Sequence, residues 1–445
     1  MYCGGDDIGA LVADIGSHSA RIGFAGDDYP RVYIPSCIGI TDTYNDNKTD
    51  ITINNSIKNT HFDINYYRPN MRLEHIVRDG IINDWDLLEE LWDHSLTNYL
   101  KVDTKETPIL LAEKSYNSSE SRQKMCELMF EKYNAPALFM SKDAVLSCYS
   151  CGKTTGVAVD CGASGTVVTP VYEGWAETSA ISRGLVGGRF MDAHLLRMLG
   201  RHMHDHFSLP PPKPLFRLTK SVDPVTGALS WQPNRSVEQV HPSYDAYMHL
   251  EMARDMKESV CRTAEASSNL TDGDPRYMNI PLLPHALPDG TVVDVGVERF
   301  LPPELLFDPS LLDLQAPEMV TLGLSPSCPG GMPGSSDPIE NLVVDSILRC
   351  EADSQVTLAS HLIVTGGNSA YDGMPERIRQ EVDRAAHMNA PNWRTKVLSS
   401  GASERAICTW LGGSIIASLG SLHEMWMGRS EYDEYGSALI DRKCP

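Results

Sequence analysis

At 445 residues, of which 42 % are hydrophobic, the chain is long enough for two large domains or about three smaller ones, each with its own core. Lys and Arg total 38 against 59 Asp and Glu, a formal charge of −21 with no compensating basic cluster, so strong direct binding to a nucleic-acid backbone is not expected. No apolar run approaches the roughly 18 residues of a membrane span; the start, MYCGGDDIGA, has no signal-peptide core; and the scattered cysteines, whose CxxC pair Cys148 and Cys151 lacks a second pair or a nearby His, read as reduced thiols of a cytosolic or nuclear protein.

Residues 9–38 are strand-rich. They open with Leu11-Val12-Ala13-Asp14-Ile15-Gly16-Ser17 and return through His18-Ser19-Ala20-Arg21-Ile22-Gly23-Phe24. Residues 40–60 are polar and Asn-rich, an exposed loop or weak hairpin. Asp84 starts a helix that presents Trp85, Leu88, Leu91 and Trp92 at helical spacing. Pro108 to Ala112 is a short buried strand, Ser119 to Tyr133 a helix, Ala135 to Met140 a strand, and Ala144 to Tyr149 a helix. Strands alternating with helices predict an α/β fold.

The stretch Gly156 to Gly174 is a hairpin. Val157, Ala158 and Val159 end its first strand, Asp160-Cys161-Gly162-Ala163-Ser164-Gly165 is a small-residue turn, and Thr166 to Val171 returns. Such a tip, with backbone N–H groups and a carboxylate at the strand end, suits phosphate and, through water, a cation. The first hairpin has the same grammar of apolar strand, Asp, any residue, Gly, small residue and returning strand. Two such hairpins roughly 145 residues apart suggest an internal duplication, with both tips serving one phosphate chain.

Beyond them, Gly184 to Arg189 precedes a helix rich in His and Met from Phe190 to about His204. The proline-laden 208–243 is an insertion or long loop, Met248 to Ala264 is helical, and 323–338 is a flexible loop. His361 to Val364 is a strand that turns at Thr365-Gly366-Gly367-Asn368-Ser369, and Trp410 to Met427 is a buried helix.

In this order the motifs resemble actin and the actin-related proteins, from about residue 8 to the C-terminus and more weakly in 40–75 and 205–245. The specific ones are Gly23-Phe24-Ala25-Gly26-Asp27-Asp28, Lys153-Thr154-Thr155-Gly156, Pro170-Val171-Tyr172-Glu173-Gly174, Trp410-Leu411-Gly412-Gly413-Ser414-Ile415 and the terminal Arg442-Lys443-Cys444-Pro445. The resemblance implies an actin-like ATPase fold of two duplicated α/β domains in four subdomains around a nucleotide cleft. Subdomain 1 would comprise 1–38, 79–150 and 406–445; subdomain 2, divergent, 39–78; subdomain 3, 151–192 and 313–405; and subdomain 4, 193–312 with an insertion at 205–245. Asp160-Cys161-Gly162-Ala163 and the final Pro445 look most like the nuclear branch found in chromatin-remodelling and histone-acetyltransferase complexes.

By the same resemblance, ATP with Mg2+ or Ca2+ is the expected cofactor. Asp14 and Asp160 match the two carboxylates that hold the cation through water; Gly16 and Ser17 match the first phosphate turn, and Gly162 part of the second. Arg21 stands where actin has a phosphate-binding lysine. Gly188, Lys257, Glu258, Gly366, Gly367 and Tyr371 match purine- and ribose-side positions. The departures concern hydrolysis. Asp143 stands for the water-positioning Gln, Ala163 for the second-loop Asp and Val167 for the nearby His; His18 and Ser164 replace turn glycines, and Ala406 replaces a lysine beside the adenine. Neither Ala163 nor Val167 can hydrogen-bond water, whereas Asp143 leaves slow hydrolysis open.

The expected role is therefore a non-catalytic structural and regulatory subunit in the nucleus. It would dock an amphipathic scaffold helix of a remodelling ATPase or acetyltransferase subunit, beside nuclear actin, through a groove lined by Tyr149, Thr154, Trp175, Ile416, Leu419 and Met425. No homopolymer is expected, because 41–60 offers no apolar plug; histone contact stays open. The alternative is an actin-like ATPase that switches conformation or builds filaments. A sugar kinase or chaperone of the same superfamily fits less well with the actin-type C-terminal helix and tail.

Overall fold

A computed structural model of the chain describes residues 9–44, 56–207, 211–224, 226–227, 229–237, 239–265, 280–316, 319, 334–420 and 424–444. It divides into two compact units, Met1–Ser36 with Ile76–Gly188 and Met332–Pro445, and Cys37–His75 with Arg189–Gly331.

The first unit carries two sheets built to one plan. In one, Leu11–Ile15 pairs antiparallel with Ser19–Phe24 and parallel with Ile109–Glu113, which pairs parallel with Ala137–Lys142. In the other, Gly156–Cys161 pairs antiparallel with Thr166–Tyr172 and parallel with Leu362–Thr365, which pairs parallel with Val397–Leu398. The hairpin-then-parallel order is the same in both. The repeat extends to single hydrogen bonds: the Gly16 N–H closes its turn on the Ser19 carbonyl at 3.0 Å, and the Gly162 N–H closes the other on the Gly165 carbonyl at 3.0 Å. The strands next to the hairpins are buried on both faces and accordingly read as unbroken apolar runs, Ile109-Leu110-Leu111 and Leu362-Ile363-Val364.

Helix Ala402–Ala417 crosses helix Asp143–Ser150 over these sheets. The crossing is set by Gly412, where a Cβ would lie 1.8 Å from the Leu146 carbonyl oxygen. Two residues earlier Trp410 is fully buried and its indole N–H donates to the Val12 carbonyl at 3.0 Å. Ser414 Oγ donates to the Asp27 carbonyl at 2.8 Å and accepts from the Gly26 N–H at 2.9 Å. Two of the five family-like motifs thus interlock.

The second unit holds a three-stranded antiparallel sheet with Cys37–Tyr44 between Ser56–His61 and Arg72–His75. Ile64, Met71, Leu73 and Tyr244 pack beside it. Helices Gly188–Phe207 and Pro242–Val260 share a second cluster, Leu195, Leu199, Met203, Met256 and Val260, with Val293 and Val295 of the hairpin Leu283–Ala286 and Val292–Val295.

Several boundaries differ from the sequence expectation. The helix expected from Met248 begins at Pro242, because the His241 side chain accepts from the Ser243 N–H and proline suits the first helical position. The last long helix ends at Ala417 rather than Met427, where the Ser418 hydroxyl turns back onto the Ile415 carbonyl. Helix Ser119–Glu127 continues as a π-helical turn, Leu128–Lys132. The 208–243 segment contains an antiparallel pair, Leu218–Val222 with Leu229–Pro233. The tip of the Asn-rich segment, residues 45–55, the 323–333 part of the expected loop and Pro445 lie outside the described residues. Among the described residues no helix is long and apolar enough to cross a membrane, and the cysteines are free thiols.

Candidate functional site

The two hairpin tips touch. Ser17 Oγ and Ser164 Oγ are 3.0 Å apart, and the Gly80 N–H donates to Ser17 Oγ at 3.0 Å. Cross-strand register sets Asp14 opposite Arg21, whose Nη1 donates to Asp14 Oδ2 at 2.7 Å. Burial would lower the Arg21 pKa, but the carboxylate of Asp14 and the phenol of Tyr33 more than reverse this. Its guanidinium carbon lies 5.5 Å from the Tyr33 ring centroid, while its Nε is buried with no hydrogen-bond partner.

On the other side three loops are fused at one carbonyl. Gly162 O accepts from the Gly188 N–H at 3.0 Å and from Asn368 Nδ2 at 2.7 Å. Gly366 has φ +89, and a Cβ there would lie 2.5 Å from Asp160 Oδ1, so both conformation and space require glycine. At Gly367 a Cβ would meet nothing within 4 Å. Tyr371 follows this turn and is buried.

The structure thus gathers Asp14, Gly16, Ser17, Arg21, Asp160, Gly162, Gly188, Gly366 and Gly367 on connected loops of the first unit. Lys257 and Glu258 belong to the second unit. There Lys257 is buried with its ammonium 2.7 Å from Asp192 Oδ1, a fully buried carboxylate that Arg254 also approaches at 3.1 Å; Glu258 is exposed.

One residue of the site was not anticipated. Lys114, just past the strand Ile109–Glu113, places its ammonium 2.6 Å from Asp160 Oδ2 and 2.9 Å from Asp143 Oδ2. Burial would lower its pKa; Asp143 and Asp160 outweigh that and hold it well above the usual lysine value. The available signal was its position at the carboxyl end of a parallel strand, where α/β sheets place their ligand sites. Asp143, at the start of its helix, also accepts from the Ser115 N–H at 3.1 Å, Ser115 Oγ at 2.7 Å and the Ala144 N–H at 2.8 Å, all on Oδ1. Both its oxygens are engaged. Val167 is buried in the second hairpin.

Of the groove residues, Trp175 is 59 % exposed, Leu419 47 % and Met425 45 %. Thr154 is exposed, and Tyr149 half-buried with its hydroxyl facing Gly174. Ile416 is buried at 6 %, so it packs inward; its neighbour Ile415 faces out.

The actin family profile matches residues 5–445. The chain belongs to the actin family. Relatives of this actin-family chain include proteins named Actin-related protein 4 from Arabidopsis thaliana, 32 % identical over 470 aligned positions, and from Oryza sativa subsp. indica and subsp. japonica, each 33 % identical over 476. Each comparison covers 100 % of both chains.

Membership of the actin family implies a nucleotide with a divalent cation. The loops fit a phosphate-bearing nucleotide: two hairpin tips meet, open space adjoins Gly367, and Arg21 Nε is an unspent donor. The carboxylates fit a cation less well, because Arg21 already holds Asp14 Oδ2 and Lys114 already holds Asp160 Oδ2.

Proposed function

We propose that this chain is a non-catalytic, actin-like structural and regulatory subunit of a nuclear chromatin-remodelling or histone-acetyltransferase complex, holding ATP without efficient hydrolysis and docking on an amphipathic scaffold helix beside nuclear actin. The carrying observation is the split between binding and water chemistry in one site. Supporting it, two glycine-bearing hairpin tips meet at Ser17 and Ser164, while the positions that would handle water are Ala163, Val167 and an Asp143 with both oxygens engaged. A base must present a free lone pair to the water it activates. The full-length likeness to proteins named Actin-related protein 4 supports the nuclear setting and the partner class. In this reading Lys257, Glu258, Gly188, Gly366, Gly367 and Tyr371 serve the purine and ribose, the chain is divided into four subdomains at the boundaries given above, and no homopolymer forms.

The test is nucleotide analysis of the purified protein together with a phosphate-release assay. ATP should be the main extracted nucleotide, with no steady phosphate release. Mostly ADP with continuous release would restore a working ATPase, and an empty protein would remove ATP as the ligand.

A further inference from the structure

The cluster around Lys114 does more than fill a site. Its ammonium bridges Asp143 and Asp160 at 2.9 and 2.6 Å, and the remaining carboxylate, Asp14, is bridged by Arg21 at 2.7 Å. Two cations of the chain therefore serve three carboxylates, with no ion added. The lysine is positioned, not dangling: a Cβ at Gly80 would lie 2.9 Å from Lys114 Cγ and 3.2 Å from Cε, so the stem is packed against that turn. Asp160 is hemmed as well. Its Oδ1 edge lies against Gly366, where a Cβ would come within 2.5 Å, and its Oδ2 edge takes the ammonium. A divalent ion held by Asp160, directly or through one water, would have to sit where Nζ now sits or face it at close range, and like charges at such separations repel strongly.

We propose that the Lys114 ammonium is the resident counter-cation of this site and excludes a divalent cation from Asp143 and Asp160, so that nucleotide binding has no requirement for Mg2+ or Ca2+. The second half rests on the nucleotide-binding reading above; the first half does not. A tethered ammonium needs no dehydration from bulk water and is present whether or not nucleotide is. A divalent cation would have to displace it and leave a cation packed against Gly80 without its partners.

The probe is Mn2+ alone, titrated into the nucleotide-free full-length protein and followed by electron paramagnetic resonance. Wild type should show no Mn2+ site that depends on Asp160. Lys114→Met should gain one such site, displaced by excess Mg2+ and lost again when Asp160→Asn is added. A wild-type Mn2+ site that Asp160→Asn removes would overturn the proposal, and this comparison does not need the Lys114 variant to fold. In parallel, ATP is titrated by calorimetry in EDTA and in Mg2+. Wild-type affinity should be the same in both, whereas Lys114→Met should gain about ten-fold or more in Mg2+. A gain of that size in wild type also overturns the proposal. No ATP binding under either condition defeats the nucleotide reading instead, and leaves exclusion of the cation to be decided by Mn2+.

Discussion

Nine described cysteines sit in one reduced-looking chain, yet their thiols differ sharply. Burial pushes Cys37, Cys126, Cys261 and Cys444 up to about 12 and Cys350 up to about 11, and raises Cys148 and Cys161 further. Cys151 goes the other way, lowered to about 7 by a hydrogen bond from Cys408, whose own thiol is raised in exchange. The thiolate is the nucleophile, so brief alkylation near neutral pH followed by peptide mass analysis should label Cys151 first among these nine. Its labelling rate should rise through about pH 7 and level off above it, because a thiol is reactive only once deprotonated. Labelling of Cys350 or Cys261 ahead of Cys151 would refute the assignment. In sequence this thiol looked like half of a CxxC. What lowers it is Cys408, brought close from 257 positions away by the crossing of the two helices. Lys114 was hidden for the same reason: in sequence it is a lysine after a short strand, and only folding brings it to Asp143 and Asp160. The Asp-x-Gly tips were legible because their chemistry is local, carried by one turn each.

At the scale of elements, the apolar strands of the two large sheets are legible in the sequence, whereas the hairpins of the second unit and most helix ends are not. Strands here are short apolar runs bounded by turn residues, whereas helix ends are set by caps such as His241 and Ser418 that lie outside the periodic pattern. The glycine pair Gly412-Gly413 was visible as a motif, but its purpose is steric: it lets two helix backbones meet. A Cβ at Gly412 would lie 1.8 Å from the Leu146 oxygen and 2.5 Å from its carbon, and backbone cannot rotate away. Gly412→Val should therefore cost about 3 kcal/mol or more, the upper range for overpacking a core. Gly200 gives the contrast, since it sits within helix Gly188–Phe207 and a Cβ there would meet nothing within 4 Å. Gly200→Ala should gain about 0.5–1 kcal/mol from helix propensity alone. Urea unfolding of both variants against wild type checks the pair, and equal small effects would mean that the crossing is not the constraint.

At the scale of the whole chain, a formal charge of −21 and three exposed apolar side chains of the proposed groove bear on different partners. The acidic surface disfavours self-association and nucleic acid. Trp175, Leu419 and Met425 remain 45 to 59 % exposed, on or beside elements that pack together in the first unit. Single exposed apolar residues are ordinary; here Trp175 lies on a strand that packs on helix Asp143–Ser150, Tyr149 closes that helix with its hydroxyl toward Gly174, and Leu419 follows the end of helix Ala402–Ala417. Interfaces of this kind concentrate their energy in a few aromatic and aliphatic anchors, each worth about 2 kcal/mol or more. If an amphipathic helix docks here, Trp175→Asp and Leu419→Asp should abolish co-purification with a scaffold subunit while ATP content and the folded spectrum stay as in wild type. Ile416→Asp should behave differently, because that side chain is 6 % exposed and its charge would be buried, so it should unfold the protein outright. The pattern of two folded but unbound variants and one unfolded variant separates a docking surface from core. Should Trp175→Asp and Leu419→Asp both remain folded and still co-purify at the wild-type level, the scaffold helix binds elsewhere.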